Sequence, residues 1–140
     1  MTVLDTNVLS ELVRPLPSPE VVRWMAAQPN SSLFATSVTQ AEMLYGIELM
    51  PKGKRRAALQ AEVEGMFAED FQNRILPFDA DAAREYPGIA AARRAMGRPI
   101  TPFDAQIAAI ALSHGAKLAT RNTADFEHCG VALINPWKTR

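Results

Sequence analysis

Short apolar runs alternate along this chain with longer stretches of helical period. Thr2 to Leu4 predicts a first strand, and Asn7 to Val13 a helix that stops before Pro15. Ser18 and Pro19 supply a cap and a first-turn proline for a helix to about Gln28. Ser32 to Thr36 predicts a second strand. Ser37 and Gln40 have capping-box spacing, so a helix is expected from Val38 to about Met50, ended by Pro51 and Gly53. A further helix fits Arg55 to Phe67, and a third strand Arg74 to Leu76. The alanine-rich stretch Ala80 to Met96 predicts a long helix with a kink or break at Pro87 and Gly88. Thr101 and Asp104 form a second capping box, with Pro102 in the first helical position. That helix runs to about Ser113, and Gly115 supplies a left-handed cap. Lys117 to Thr120 and Val131 to Ile134 predict two more strands, with a short helical turn at Asn122 to Phe126.

Strands alternating with crossover helices predict an α/β fold. The expected form is a three-layer α/β/α sandwich around a mostly parallel central sheet of about five short strands. The stretch Ala105 to Leu112 is almost wholly apolar and should be the buried central helix. A length of 140 residues fits one domain over 1–140. Apolar residues make up 48% and charged ones 21%, which is globular and excludes a disordered chain. No apolar run approaches the roughly 18 residues that span a bilayer, and the first residues lack the pattern of a secretory leader. Cys129 is alone, and His114 and His128 are too scattered for a zinc pair. The expectation is a soluble cytoplasmic protein with no membrane partner. A formal charge of zero excludes an indiscriminately basic nucleic-acid binder.

The candidate chemistry lies where strands end. In an open α/β sheet, ligands bind beyond the carboxyl ends of the strands. Asp5 follows the first strand, Glu42 lies early in the helix after the second, Asp104 is in the first turn of the central helix, and Asn122 and Asp125 follow the fourth strand. Each has a local explanation as a turn, cap or solvated residue. Together, converging carboxylates repel one another, and a divalent cation is what makes their convergence useful. An all-oxygen set points to Mg²⁺ or Mn²⁺. No phosphate-binding glycine loop occurs, and the position two residues after Asp5 is Asn7, where an aspartyl-phosphate phosphatase would need an acid. Hydrolysis of a phosphodiester fits best.

The segment Val3 to Leu9, with Asp5-Thr6-Asn7 at its centre, resembles the first motif of PIN-domain nucleases. Ser37 to Glu42, followed by Leu44 and Gly46, resembles their second acidic motif, and Asp104 to Ala109 the third. Thr120-Arg121-Asn122, Asp125-Phe126 and Ile134 to Trp137 complete the pattern. The likeness spans nearly the whole chain and is strongest to VapC-type toxins of the FitB-like branch. It implies a PIN-like fold and a Mg²⁺-dependent endoribonuclease, the toxin of a type II toxin–antitoxin pair, inhibited by a VapB/FitA-like antitoxin. A homodimer, a toxin–antitoxin hetero-oligomer and operator DNA bound through the antitoxin are implied with it. By motif, Asp5, Glu42, Asp104 and Asp125 are the acidic quartet. Asp5 and Asp104 are the first metal ligands, and Glu42 and Asp125 complete the site directly or through water. Asn122 is the alternative occupant of the fourth position. Thr6 and Thr120 would support the acids or cap backbone locally.

Basic residues cluster at Lys52 to Arg56 and at Arg93, Arg94 and Arg98, and Arg121 adjoins the acids. They could carry an RNA backbone, with Arg121 best placed, or form solvated helix faces. Trp24, Met25, Met43, Leu44, Tyr45, Ile47 and Met50 could line an antitoxin groove or belong to the core. Two other activities remain open on this reading: a catalytically weak module that binds RNA or antitoxin, and a small-molecule phosphohydrolase.

Overall fold

A computed structural model describes residues 1–139. Five strands form one parallel sheet: β1 (Thr2–Leu4), β2 (Leu33–Thr36), β3 (Ile75–Leu76), β4 (Lys117–Ala119) and β5 (Leu133–Ile134), in the order β3-β2-β1-β4-β5. The helices are α1 (Thr6–Leu12), α2 (Pro19–Ala27), α3 (Ser37–Glu48), α4 (Lys54–Gly65), α5 (Ala80–Ala95) and α6 (Pro102–Ser113). This is the α/β/α sandwich the alternation predicts.

Neighbouring strand residues point to opposite faces, and the core follows that alternation. Val3 and Leu118 pack into one cluster with the apolar face of α6 and with Ala82 and Ile89 of α5. Leu4 and Ala119 pack into the other, with side chains of α1, α2, α3 and α4. Both faces of the sheet are therefore covered. Ala105 and Ile107 to Ala111 are fully buried, which makes α6 the expected central helix. Its alanines let the helix approach the sheet closely.

The helix ends show which local signals governed. Thr101 caps α6 as predicted: its hydroxyl accepts from the Asp104 N–H at 3.3 Å, and Pro102 occupies the first turn. Gly115 adopts φ 62°, the left-handed conformation expected after that helix. The cap of α3 lies one residue earlier than predicted. Thr36, fully buried at the end of β2, accepts from the Thr39 N–H at 3.0 Å, which displaces Ser37 from the role. The expected break at Pro87 and Gly88 is not present, because α5 runs unbroken through Pro87. Pro87 and Ala83, whose carbonyl loses its N–H partner, both lie on the exposed side of the helix, where water can replace the bond. After α4 the chain closes through one wider π-type turn, Met66–Asp70, where a continuous helix to Phe67 was expected.

The strand order places the site. The chain builds β1, β2 and β3 outward in one direction and then returns to lay β4 on the other side of β1. The carboxyl ends of β1 and β4 thus flank the point where the order reverses, which is where α/β sheets open a crevice.

Candidate active site

Asp5 stands at that crevice, as the residue after β1 and the N-cap of α1. It is only 5% exposed. Its Oδ1 accepts from the Thr6 N–H at 2.8 Å, and its Oδ2 accepts from the Thr120 hydroxyl at 2.8 Å, just past β4. The Thr120 hydroxyl in turn accepts from Asn7 Nδ2 at 3.3 Å and from the Asn122 N–H at 3.1 Å. Its one proton is therefore committed to Asp5. Asn7 also accepts, through Oδ1, from the Arg121 N–H at 3.3 Å, so it ties the loop after β4 to α1.

Glu42 reaches the crevice from α3. Its Oε1 accepts from the Thr6 hydroxyl at 2.8 Å, and the Thr6 hydroxyl lies 2.9 Å from that of Thr39. Proton accounting gives a relay in which Thr39 donates to Thr6 and Thr6 to Glu42. Thr39 is fully buried, so this hydroxyl has no alternative partner in water. Thr6 and Thr120 thus donate to the carboxylates of Glu42 and Asp5, and Asp5 is also the N-cap of α1.

Asp104 enters from the first turn of α6 and is half-buried; Asp125 and Asn122 are exposed on the short turn after β4. Burial pushes the Asp5 carboxyl up to about 6, against the lowering effect of its bonds to Thr120 and Thr6. The negative charges of Asp104 and Glu42 add to the upward push. Asp104 is also raised, first by burial and further by the charge of Asp125, while the Thr101 hydroxyl and the Arg93 guanidinium oppose the shift. The acids are therefore electrostatic neighbours in a chain: Glu42 and Asp104 act on Asp5, and Asp125 acts on Asp104.

Among the described residues, no ion pair engages any of these acids, although surface acids such as Glu48, Asp81 and Glu127 pair with arginines. No three acidic, histidine or cysteine side chains among the described residues are already drawn into a metal-ligating cage. The donor set nevertheless suits a hard divalent cation: it is all oxygen, and its most buried member, Asp5, has a raised pKa. Cation uptake would relieve the repulsion that burial concentrates on Asp5.

Several expectations need adjustment. Arg93 is no part of a basic surface: it is 4% exposed and faces inward. Arg56 is half-buried and paired with Glu48 at 2.9 Å. Arg121 is exposed beside the site, with its guanidinium 5.1 Å from the centre of the Trp137 ring. Of the expected groove residues, Trp24, Met43 and Ile47 are buried, and Met25 and Leu44 pack partly against the same core. Met43, Ile47 and Met50 do reach a cavity of about 500 Å³ between α1, α3 and α4, which has Thr6 and Glu42 on its wall. Sequence reasoning missed the parts played by Asn7 and Thr39. Their signals were present: Asn7 lies two residues after Asp5, and Thr39 lies one helical turn before Glu42.

A crevice of unpaired carboxylates at the strand reversal of a parallel α/β sheet defines a class, and family comparison agrees. The chain belongs to the PIN-domain family, whose model matches residues 2–131. It is 43% identical to the VapC ribonuclease Y4jK of Sinorhizobium fredii, over 99% of this chain and 99% of that protein. It is 37% identical to the toxin FitB of Neisseria gonorrhoeae, over 98% and 99%. In three dimensions it matches a chain of the FitAB structure bound to an IR36 DNA fragment. There the TM-score is 0.93 and the identity 37%, with 100% of this chain and 98% of that chain covered.

Proposed function

We propose that the chain, one PIN domain over 1–140, is a cytoplasmic toxin of a type II toxin–antitoxin pair and a Mg²⁺-dependent endoribonuclease. The observation that carries the chemistry is Asp5. It is a buried carboxylate, held by two hydrogen bonds, with neighbouring acids and no ion-pair partner among the described residues. Similarity to the VapC ribonuclease and the FitB toxin supports the substrate class and the biological setting.

Asp5 and Asp104 would hold the metal, Mg²⁺ or Mn²⁺, with Glu42 and Asp125 completing the site directly or through water. Asn122 is less suited to the fourth position than Asp125, whose charge acts on Asp104. A divalent cation there supplies Lewis acidity at the phosphate and lowers the pKa of bound water. The protein's own residues do the positioning. Thr120 fixes Asp5 by donating to Oδ2. Thr6 fixes Glu42 through Oε1, leaving Oε2 to orient the attacking water and accept its proton. Arg121, exposed at the rim, meets the RNA phosphate.

The cavity lined by Met43, Ile47 and Met50 suits an apolar segment of a VapB/FitA-like antitoxin, which would approach Glu42 from the side and close the crevice. The likeness to FitAB bound to a DNA fragment supports a toxin–antitoxin hetero-oligomer that binds DNA. Contact with operator DNA through the antitoxin and a toxin homodimer within that assembly belong to the same proposal.

The test is incubation of purified protein with total RNA, with Mg²⁺ and with EDTA. Internal cleavage with Mg²⁺, lost with EDTA and in Asp5→Asn and Asp104→Asn, is the expected outcome. RNA retained without cleavage under any divalent metal would reduce the protein to a binding module. Phosphate released from monoesters, with RNA intact, would make it a small-molecule phosphohydrolase.

A further inference from the structure

Among the described residues Arg93, in the last turn of α5, is the one buried arginine, and its effect on the Asp104 charge does not account for the hydrogen bonds it makes. Its Nε donates to the Arg98 carbonyl at 2.7 Å. Its Nη1 donates to the Asp125 carbonyl at 2.6 Å and the Glu127 carbonyl at 3.1 Å, and lies 3.8 Å from the Cys129 sulfur. No carboxylate pairs with it among the described residues. Burying a guanidinium against neutral carbonyls is costly, so a fold that does so needs those carbonyls held. All but one of these partners lie in the segment that carries Asp125.

Phe126 and Cys129 bury that segment's apolar side in the core beneath α6, and the Asp125 N–H donates to the Asn122 carbonyl at 3.0 Å. The short 3-10 turn, Thr123–Phe126, receives no side-chain cap from Asn122, and His128 bends the chain back with φ 63°. A second arginine grips the same stretch from its outer side. Arg98 donates from Nη2 to the Ala124 carbonyl at 3.1 Å, and from Nη1 to Glu127 Oε2 at 3.0 Å. The carboxylate of Asp125 remains exposed on the rim while its own carbonyl is fastened inside.

We propose that Arg93 is a positioning residue for the divalent-metal site: it fixes the backbone of 125–127 from within, so that Asp125 stands where it can complete the ligand set with Asp104. The inference rests on the metal-site reading above. It adds a residue that touches neither metal nor RNA and acts through main-chain carbonyls.

The experiment measures Mn²⁺ affinity by electron paramagnetic resonance, and amide exchange over 122–130 in metal-free protein. Wild type is compared with Arg93→Met, Arg93→Lys, Arg98→Gln and Val21→Ala. Val21 is fully buried in the opposite core cluster and serves as a stability control. Arg93→Met is expected to weaken Mn²⁺ binding by about 10- to 100-fold, the usual effect of losing a residue that orients a ligand. Exchange over 122–130 should quicken at the same time. Arg93→Lys should recover part of the affinity, since an ammonium can still donate to the carbonyls. Val21→Ala should lower the melting temperature with Mn²⁺ affinity unchanged. Wild-type affinity in Arg93→Met, or a loss matched by Val21→Ala, overturns the inference and leaves the metal site standing. Should neither Arg93 variant fold, Arg98→Gln decides: weaker Mn²⁺ binding with faster exchange supports the clamp, and no change in either overturns it. A wild-type protein that takes up no Mn²⁺ overturns the metal reading itself, and this inference with it.

Discussion

The acid rim has two halves, built by different means. On the β1 and α3 side, Asp5 and Glu42 are held by hydroxyls aimed at their carboxylate oxygens, from Thr120 and Thr6, with Thr39 behind Thr6. On the α6 side, Asp104 and Asp125 are placed through their backbones. A helix cap at Thr101 sets the first, and arginines gripping carbonyls set the second. The first half is a set of directed side chains, with Asp5 and Thr39 buried and Glu42 half-buried. The second is more open and takes its order from the elements beneath it. A shared ion would therefore find one half preformed and draw the other to it.

Removing the charge of Asp5 or Asp104 is the severest way to break this arrangement. Asp5→Asn and Asp104→Asn should each lower RNA cleavage by about 100-fold or more. Their metal-free stabilities should differ. Asp5 is buried and raised to about 6, so losing its charge at pH 7 relieves strain, partly offset by a poorer partner for Thr120. A net gain on the order of 1 kcal/mol, or about 3 °C in melting temperature, is expected. Asp104→Asn should gain less, because Asp104 is half-exposed and its carboxyl also favours the start of α6. A fall in stability for Asp5→Asn would mean that its capping bonds outweigh its buried charge.

The same contrast predicts a pH dependence with a definite sign. A carboxyl whose native pKa lies above its unfolded value of 3.8 binds its proton more tightly when folded. Its contribution to stability is complete below about pH 4 and is lost as pH rises through about 6. Metal-free protein should lose on the order of 2 kcal/mol from this group across that window. Asp104 contributes in the same direction. Mg²⁺ at a hundred times its Kd should restore about 2.7 kcal/mol at pH 7, and less at pH 4.5, where protons compete for the same oxygens. Thermal melts at both pH values, with and without Mg²⁺, check this. An Mg²⁺ shift of equal size at both would place the ion away from Asp5.

Much of the first half was legible in the chain because its signals are local. Asp5 follows an apolar strand, and Glu42 lies near the start of a capped helix. Alternation of strands and helices predicts a parallel sheet, but the strand order that sets the crevice is seen only in the fold. The hydrogen-bond relay was less legible, since Thr39, Thr6 and Glu42 meet across two elements, and a buried threonine looks in sequence like any cap residue. The cap of α3 shifted to Thr36 for a related reason. Tertiary burial of its hydroxyl against the helix start decided between adjacent candidates that local spacing could not separate. Arg93 was least legible of all: a basic residue between exposed neighbours reads as surface until α5 packs on the turn after β4.

The hydroxyls of the two halves offer a finer comparison. Thr6→Val removes the donor to Glu42 and strands the buried Thr39 hydroxyl. Cleavage should fall about 10-fold, as when a ligand loses its orienting partner. Thr101→Val removes a helix cap, which should cost about 1 kcal/mol of stability with a smaller effect on cleavage. Stability and rate measured on both variants separate an orienting hydroxyl from a capping one. Thr6→Val with wild-type cleavage would show that Glu42 holds its place without the relay.

The smallest effect is expected at the edge both halves share. Arg121 follows Thr120 on the loop tied to Asn7, and its guanidinium lies over Trp137 without an acidic partner among the described residues. Stacking leaves its charge available, since a ring face neutralises nothing. If Arg121 meets a phosphate as proposed, Arg121→Ala removes that one contact and leaves the acids in place. The Michaelis constant for RNA should therefore rise about threefold at low salt, with kcat unchanged. The slope of log affinity against log salt should drop by about 1, the signature of one released counterion. Trp137→Leu should do less, because it removes the ring that orients the guanidinium and keeps the charge. A fall in kcat for Arg121→Ala would instead place Arg121 against the reacting phosphate, and would move it from the edge of the rim into its chemistry.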